Sequence, residues 1–194
     1  MATLTLAPAP TLTYEAYLAE PEVQGRYDIV NGVRIFMVGA SWRHQRISRH
    51  IEKALDRFEE STGLGLNVHA PFDVLIRRFP KMQTRQPDVL FISYNRLAQG
   101  YGIPAVGPLE TAPELVVEII SDSETQRILE EKLADYCEIG VSECWVVRPE
   151  TRTVEVLALS AGEIRCVAVY TETQAVASVV FEKLSMAVAD IFAE

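Results

Sequence analysis

Residues 115–120 read Leu115-Val116-Val117-Glu118-Ile119-Ile120, an apolar run interrupted by a single acid. Continuous Val, Ile and Leu character is typical of a strand that is buried on both faces of a sheet. A helical pattern from Ser123 to Ile139 and a second strand from Glu143 to Val147 follow. A strand, a helix and a strand in this order predict a parallel pair joined by a crossover.

The segments on either side predict antiparallel strands and further helices. Asn31-Gly32 separates β-rich runs at 26–30 and 33–38, which predicts a hairpin. Ser41 begins a helix to about Thr62, whose apolar residues recur every three or four positions. The remaining expected elements are a helix from Thr13 to Leu18, strands near 64–70, 72–78, 88–92, 152–159 and 164–170, a helix over 186–192, and loops over 80–86 and 99–113. The sequence therefore predicts an α/β fold, a single domain with a mixed β-sheet flanked by helices.

Length and composition bound the class of protein. The 194 residues fit one domain, and 48% hydrophobic content is ample for a core. We expect residues 1–12 to form a disordered tail and residues 13–194 to form the domain. No apolar stretch approaches the roughly 20 residues that a membrane-spanning helix needs, and residues 1–11 lack the basic start of a secretory signal. These features predict a cytoplasmic protein with no membrane association.

The cysteines and the charge distribution narrow the chemistry further. Cys137, Cys144 and Cys166 form no C-x-x-C pair, which predicts reduced structural thiols. The net charge of −9 disfavours loose binding to nucleic acid. However, segments 43–50 and 77–85 contain several bases and no acid, and phosphate binding needs local rather than total positive charge. Either they hold phosphates or they are solvated surfaces.

Two acids are candidate metal ligands. Asp88 follows Pro87 at the start of a predicted strand, and Glu118 lies in the middle of another. A carboxylate buried in a strand is costly unless it is paired or bound to a metal, so Glu118 belongs to either an ion pair or a functional site. Hard Mg²⁺ prefers oxygen ligands and activates water for phosphodiester cleavage. Asp88 and Glu118 are therefore the expected ligands of Mg²⁺, with Mn²⁺ as the alternative ion.

Lys132 is informative because of its angle on the predicted helix. At about 100° per residue, Lys132 falls within the apolar arc formed by Leu129, Leu133 and Tyr136. A lysine at such a position either extends outward to solvent or is directed at a buried acid. Glu118, on the preceding strand, is the expected partner.

Three more residues are weaker candidates for the same site. Asp28 lies just before the Asn31-Gly32 turn, and His44 lies on the first turn of the long helix. Either residue could supply a further acid or base, although a surface role for His44 is equally open. Asp73 has the weakest case of the three.

The order of these motifs resembles the Uma2 family of endonucleases, also called the DUF820 proteins. The resemblance runs from Thr13 to about Val156. It is carried by Tyr27-Asp28-Ile29-Val30-Asn31-Gly32, Arg43-His44-Gln45, Gln86-Pro87-Asp88, the run 113–121, Lys132 with Tyr136, and the run 140–147. The resemblance implies a PD-(D/E)XK, restriction-endonuclease-like fold.

The resemblance also implies roles for the candidate residues. Pro87-Asp88 is similar to the Pro-Asp motif of the fold, and Glu118 to its second acid. The lysine of the fold usually follows that acid by two residues, whereas in this family it comes from the next helix, which matches Lys132. Asp28 and His44 correspond to the acid and the histidine of the family. The sequence departs from the family at Asp28, where Glu is usual, and at Val33 and Ile128.

Three functions are consistent with the sequence. The first is a Mg²⁺-dependent DNA endonuclease whose catalytic residues are Asp88, Glu118, Lys132, Asp28 and His44. The second is a catalytically silent binding or regulatory module on the same fold. The third is an acidic interaction protein in which Asp88, Glu118 and Lys132 form a buried ion-pair network. The β-rich stretch 153–180 is a candidate homodimer surface.

Overall fold

A computed structural model describes residues 11–21, 23–121 and 124–193. The helices are α1 (Tyr14–Ala19), α2 (Trp42–Thr62), α3 (Tyr94–Gln99), α4 (Gln126–Ile139) and α5 (Val188–Ile191). The strands are β1 (Tyr27–Val30), β2 (Val33–Phe36), β3 (Gly65–His69), β4 (Val74–Arg77), β5 (Gln83–Arg85), β6 (Val89–Ser93), β7 (Leu115–Ile119), β8 (Glu143–Arg148), β9 (Thr153–Ser160), β10 (Glu163–Tyr170), β11 (Ala175–Ala177) and β12 (Ser185–Ala187).

A six-stranded mixed sheet organises the fold, in the order β10-β9-β8-β7-β6-β3. Strands β7 and β8 are parallel and are joined through α4, as the sequence predicted. The other neighbouring pairs are antiparallel. A four-stranded sheet, β2-β1-β5-β4, and the small pair β11-β12 accompany it. The α/β class and the mixed sheet are confirmed, whereas the separate four-stranded sheet was not expected.

Strand β7 explains why Glu118 faces helix α4. Successive side chains of a strand point to opposite faces of the sheet. Leu115, Val117 and Ile119 pack into the core that contains the apolar side of α2. Val116 packs into the opposite core with Leu133 of α4. Glu118 shares the face of Val116, so the alternation of the strand directs its carboxylate toward α4.

Local signals set the helix boundaries. The Ser41 side chain accepts a hydrogen bond from the His44 amide at 3.2 Å and caps the start of α2. Gly63 has a φ of +60° and ends the helix in a left-handed conformation. The Thr125 side chain caps α4. Helix α4 therefore begins at Gln126 rather than at Ser123, which lies outside the described residues.

The structure corrects three sequence-based expectations. Residues 83–85 form β5 rather than part of a loop, because their polar side chains are buried against acids. The C-terminal helix is confined to Val188–Ile191, since Ser185–Ala187 pairs with β11. A short helix, α3, caps its own start with Ser93 before the predicted loop over 99–113.

Other expectations concern the ends of the chain and the cysteines. Residues 1–10, which the predicted tail contains, lie outside the described residues, and the domain boundaries stay a prediction. Within the described ranges, no helix has the length and apolar character to cross a membrane. Cys137 and Cys144 are buried, Cys166 is exposed, and all three are free thiols, as predicted.

Candidate active site

A cavity of about 580 Å³ lies where the two larger sheets meet. Its walls come from β1, the segment 35–41, the first turn of α2, the end of β7, and α4. The structure brings together five residues that the sequence singled out, and all of them are buried: Asp28, His44, Asp88, Glu118 and Lys132. Their catalytic roles remain predictions.

Glu118 and Lys132 form the ion pair that the helical angle predicted. The Lys132 Nζ lies 2.7 Å from Glu118 Oε2 and 2.9 Å from Glu124 Oε1. The Tyr136 hydroxyl, one helical turn beyond Lys132, donates a hydrogen bond to Glu118 Oε1. Both oxygens of Glu118 are thus held by α4. Because Lys132 is only 4% exposed, the alternative in which it extends to solvent is wrong.

Burial and charge shift the protonation of this pair. Burial raises the pKa of Glu118 to about 7, although the ammonium of Lys132 acts in the opposite direction. Burial by itself would lower the pKa of Lys132, but the carboxylates of Glu118 and Glu124 outweigh it, and the pKa lies above its ordinary value. Lys132 therefore keeps its charge, while Glu118 exchanges a proton near neutral pH.

Asp88 is held in its ionised form. Its Oδ2 accepts a hydrogen bond from the Ile119 amide at 2.6 Å, and its Oδ1 lies 3.2 Å from His44 Nε2. Arg26 also donates to Oδ1. Burial would raise the pKa of Asp88, but these groups together hold it below its ordinary value. Two neighbouring carboxyls whose pKa values are pushed apart are typical of an acid–base site.

Arg26 is a site residue that the sequence did not reveal. Its guanidinium donates to Asp88 and, at 2.8 Å, to the carbonyl oxygen of Gln86. Burial would lower its pKa, but the charges of Asp88 and Glu118 raise it. Arg26 therefore provides positive charge to both candidate metal ligands.

Asp28 belongs to a polar network in the wall of the cavity. Its Oδ2 lies 2.9 Å from Arg85 Nη1, and its Oδ1 accepts a hydrogen bond from the Gln86 amide at 3.0 Å. Arg85 Nε also lies 2.6 Å from Asp135 of α4, and Gln83 donates to the same carboxylate at 2.7 Å. The network connects β1, β5 and α4, so it fixes the wall of the cavity that carries Lys132.

Asp73 lies in a polar cluster that Gln86 links to the network of Asp28. Its carboxylate accepts hydrogen bonds from Tyr17 at 2.6 Å, Tyr27 at 3.3 Å, Thr84 at 3.2 Å and Gln86 at 3.2 Å. Asp73 does not line the cavity. These contacts give it a structural role between α1 and the four-stranded sheet.

The second basic segment is mostly paired with acids. Arg77 lies 3.4 Å from Glu138, Arg78 pairs with Glu110, and Arg85 is buried between two carboxylates. Lys81 alone of its four bases has no carboxylate within ion-pair distance in the described ranges. The predicted phosphate-binding surface at 77–85 is therefore largely neutralised.

The carboxylate oxygens of Asp88 and Glu118 are chemically suitable ligands for a hard divalent cation, but they already have partners within the protein. Asp88 and Glu118 offer carboxylate oxygens to one cavity, and such oxygens are what Mg²⁺ prefers. Across residues 11–21, 23–121 and 124–193, no three Asp, Glu, His or Cys side chains are grouped closely enough to hold a metal. Arg26 and Lys132 hold oxygens of the two acids. A cation would therefore have to share those oxygens or displace the guanidinium.

Three residues of the site were not singled out from the sequence, and they differ in how far the sequence could have indicated them. Tyr136 follows Lys132 by four positions, so it lies on the same side of α4. Glu124 precedes the helix, and only the folded geometry brings it to Lys132. Arg26 precedes an ordinary hairpin strand, where an arginine is usually a surface residue.

Comparisons with known proteins agree with the fold. The model of the Uma2 family, described as "Putative restriction endonuclease", matches residues 13–189. A solved structure described as "a putative nuclease belonging to DUF820" from Anabaena variabilis superposes with a TM-score of 0.75 at 17% identity. The match covers 93% of this chain and 97% of that chain. A comparison with curated proteins found no match.

Proposed function

Because the chain belongs to the Uma2 family, we propose that it is a Mg²⁺-dependent endonuclease that hydrolyses phosphodiester bonds of DNA. The observation that carries the proposal is the meeting of Asp88, Glu118 and Lys132 at one cavity, with the lysine charged and paired to Glu118. Asp88 and Glu118 would hold the ion. Bound there, Mg²⁺ would activate a water and offset charge on the scissile phosphate.

The surrounding residues orient the carboxylates of Asp88 and Glu118 and set their charge. The Ile119 amide and His44 orient the carboxylate of Asp88, and the charge of Arg26 keeps it ionised. Tyr136 and Lys132 fix the two oxygens of Glu118. Because Lys132 stays charged, its ammonium can stabilise negative charge that develops on a phosphate in the cavity.

The pH dependence of cleavage follows from Glu118. Burial raises the pKa of Glu118 to about 7, so its ionised form grows as the pH rises through that value. Holding a cation requires the ionised form. We therefore expect the cleavage rate to increase with pH through about 7, measured with a supercoiled plasmid at constant ionic strength.

Plasmid nicking tests the proposal. Wild-type protein with Mg²⁺ should nick the plasmid, and Asp88→Ala or Lys132→Met should reduce the rate by at least about 100-fold, as for the loss of other charge-stabilising groups. Arg165→Gln, on the exposed surface of β10, is the control that should keep full activity. Equal nicking by wild type and Asp88→Ala, or no nicking at any salt concentration, would contradict the proposal. Parallel incubation with RNA tests the choice of substrate.

A second candidate is a silent binding module on the same fold. It is favoured by one observation: each oxygen of Asp88 and Glu118 already accepts a hydrogen bond or ion pair from the protein. Ligands that bind only the folded state raise its melting temperature. A silent module should show no such increase with Mg²⁺ or Mn²⁺, whereas the endonuclease should show one that Asp88→Ala abolishes.

The stability of the double variant Glu118→Leu/Lys132→Met separates both candidates from a purely structural ion-pair network. Replacing a structural buried pair by apolar groups is often neutral or stabilising. Here Lys132 lies within ion-pair distance of two carboxylates. Lys132→Met alone leaves the carboxylates of Glu118 and Glu124 without their cation and should lower the melting temperature in every case. A melting temperature unchanged or raised in Glu118→Leu/Lys132→Met, with no response to divalent cations in wild type, would favour the network.

A further inference from the structure

Helix α2 has three sides of different chemistry. Its apolar side, formed by Ile47, Ile51, Leu55 and Phe58, is buried in the core under the six-stranded sheet. A second side carries acids that contact β3, where Asn67 donates to Glu59 at 2.7 Å and to Asp56 at 2.9 Å. These contacts account for the two sides that face the rest of the protein.

The third side of α2 is basic. At about 100° per residue, its bases fall within an arc of roughly 100° along the exposed side of the helix. They are Arg46, Arg49, His50, Lys53 and Arg57. Arg49, Lys53 and Arg57 are exposed, and none of the three has an ion-pair or hydrogen-bond partner within the described ranges. These three bases therefore have no ion-pair partner among the described residues, and two exposed acids lie near them: Asp56 beside the edge of the arc and Glu60 within it, one turn beyond Arg57.

A groove continues the basic side at the far end of α2. It has a volume of about 670 Å³, and His50, Lys53 and Arg57 line it together with Lys183 from the opposite wall. Asp190 is the one acid in the lining. The first turn of the same helix carries Arg43 and His44 into the cavity described above. One helix thus connects the cavity to a basic groove.

The dimensions match a phosphate backbone. From Arg46 to Arg57 the helix rises by about 16 Å, at about 1.5 Å per residue. One strand of a DNA duplex presents a charge about every 3.4 Å along the duplex axis, and because the strand winds around that axis, consecutive phosphates are farther apart in space than this rise. The length of this side therefore allows the bases of α2 to contact a few neighbouring phosphates of one strand, fewer than about five.

We propose that the basic side of α2, from Arg46 to Arg57, and the groove with Lys183 form a binding track for the phosphate backbone of a nucleic acid. The track rests on the proposed function in that it leads the strand toward the cavity with Asp88 and Glu118. The net charge of −9 repels a polyanion from most of the surface, which confines it to this side. The chemistry recognised is the phosphodiester backbone, without base readout.

Salt-dependent binding tests the track independently of cleavage. Fluorescence anisotropy with a labelled DNA duplex in EDTA, and in parallel with a single-stranded RNA, gives the affinity at a series of NaCl concentrations. Each phosphate contact that is removed should lower the slope of log affinity against log salt by about one. Lys53→Gln/Arg57→Gln should therefore lower the slope by about two and weaken binding to all sequences. Both residues are exposed, so equal melting temperatures should show that the fold is intact.

Arg127→Gln/Arg165→Gln is the charge-matched control. Arg127 on α4 and Arg165 on β10 are exposed and should leave the slope unchanged. Equal slopes for the two double variants, or no binding by wild type at low salt, would overturn the track. If Lys53→Gln/Arg57→Gln lowers the slope but wild type cleaves no plasmid, the binding track is supported and the proposed nuclease activity is contradicted. If cleavage depends on Lys132 but the substitutions at Lys53 and Arg57 do not change the slope, the nuclease activity is supported and the binding track is contradicted.

Discussion

At the scale of single residues, Arg26 interacts with both acids of the candidate site. Its guanidinium donates to Asp88 and lies near enough to Glu118 for that acid to raise its pKa. A divalent cation held by the same two acids would compete with this positive charge. Arg26 therefore acts as an internal counterion for the two carboxylates.

Arg26→Gln tests that competition. Removing the guanidinium should strengthen Mn²⁺ or Mg²⁺ binding, because the cation no longer has to share the oxygens of Asp88. Isothermal titration calorimetry of wild type and variant measures the change, and a tenfold gain would correspond to about 1.4 kcal/mol. Arg34→Gln, which removes a surface pair with Glu20, is the control. Unchanged or weaker metal binding in Arg26→Gln would show that Arg26 does not compete.

A site residue could be predicted from the sequence where it interrupted the apolar pattern of a strand or helix. Glu118 interrupts an apolar strand, and Lys132 interrupts an apolar helical arc, so both could be singled out and paired from sequence. Arg26 and Glu124 break no pattern, since charged residues are common at strand ends and helix starts. Only long-range contacts between elements give them their positions.

At the scale of elements, β5 shows how a polar segment can become a buried strand. Gln83, Thr84 and Arg85 are buried and all three contact acids, including Asp28 and Asp135. Polar composition is typical of a loop, so the sequence predicted one. The apolar periodicity of α2 and β7, by contrast, was sufficient to predict both elements, because each buries that pattern in a core.

The buried network of Arg85 should contribute strongly to stability. Arg85→Met leaves the carboxylates of Asp28 and Asp135 without their cation, and breaking a buried pair in this way costs about 3 to 5 kcal/mol. Urea denaturation should show that loss in the free energy of unfolding. The comparison variant is Arg77→Gln, whose partner Glu138 is exposed, and its cost should stay below about 1 kcal/mol. Similar losses in the two variants would contradict the structural role of the network.

At the scale of the whole molecule, the cavity lies between two sheets. The four-stranded sheet contributes Asp28 and Arg85, whereas the six-stranded sheet contributes Glu118, with Asp88 just before β6. The parallel pair β7–β8 was predictable from the order of elements, because a crossover helix enforces it. The separate four-stranded sheet was not predictable from the sequence. A hairpin signal indicates that two neighbouring strands pair with each other, but it does not indicate which other strand pairs with them.

Global stability should depend on pH through Glu118. Burial raises its pKa from an ordinary value of 4.5 to about 7, so the folded state binds a proton that the unfolded state releases. The contribution of Glu118 to the free energy of unfolding is therefore fully present below pH 4.5. As the pH rises to about 7, the free energy of unfolding falls by up to about 3 kcal/mol. The opposite shift of Asp88 acts below its ordinary value of 3.8, outside this window.

Glu118→Gln should remove that dependence. We expect the free energy of unfolding of wild type, relative to Glu118→Gln, to fall between about pH 5 and pH 7.5. Denaturation at a series of pH values measures the difference. Glu163→Gln, exposed on β10, should follow wild type throughout. A constant difference between wild type and Glu118→Gln would mean that Glu118 keeps an ordinary pKa in the folded protein.

The distribution of the thiols gives the protein a convenient experimental handle. Cys166 is exposed on β10, the edge strand of the six-stranded sheet, with β9 and β8 between it and β7. Cys137 and Cys144 are buried, and burial raises the pKa of Cys144. Because an exposed thiolate is the reactive form, a maleimide dye should attach at Cys166 without prior mutagenesis. Energy transfer from that fluorophore to an end-labelled oligonucleotide would then report which way the strand runs across the molecule.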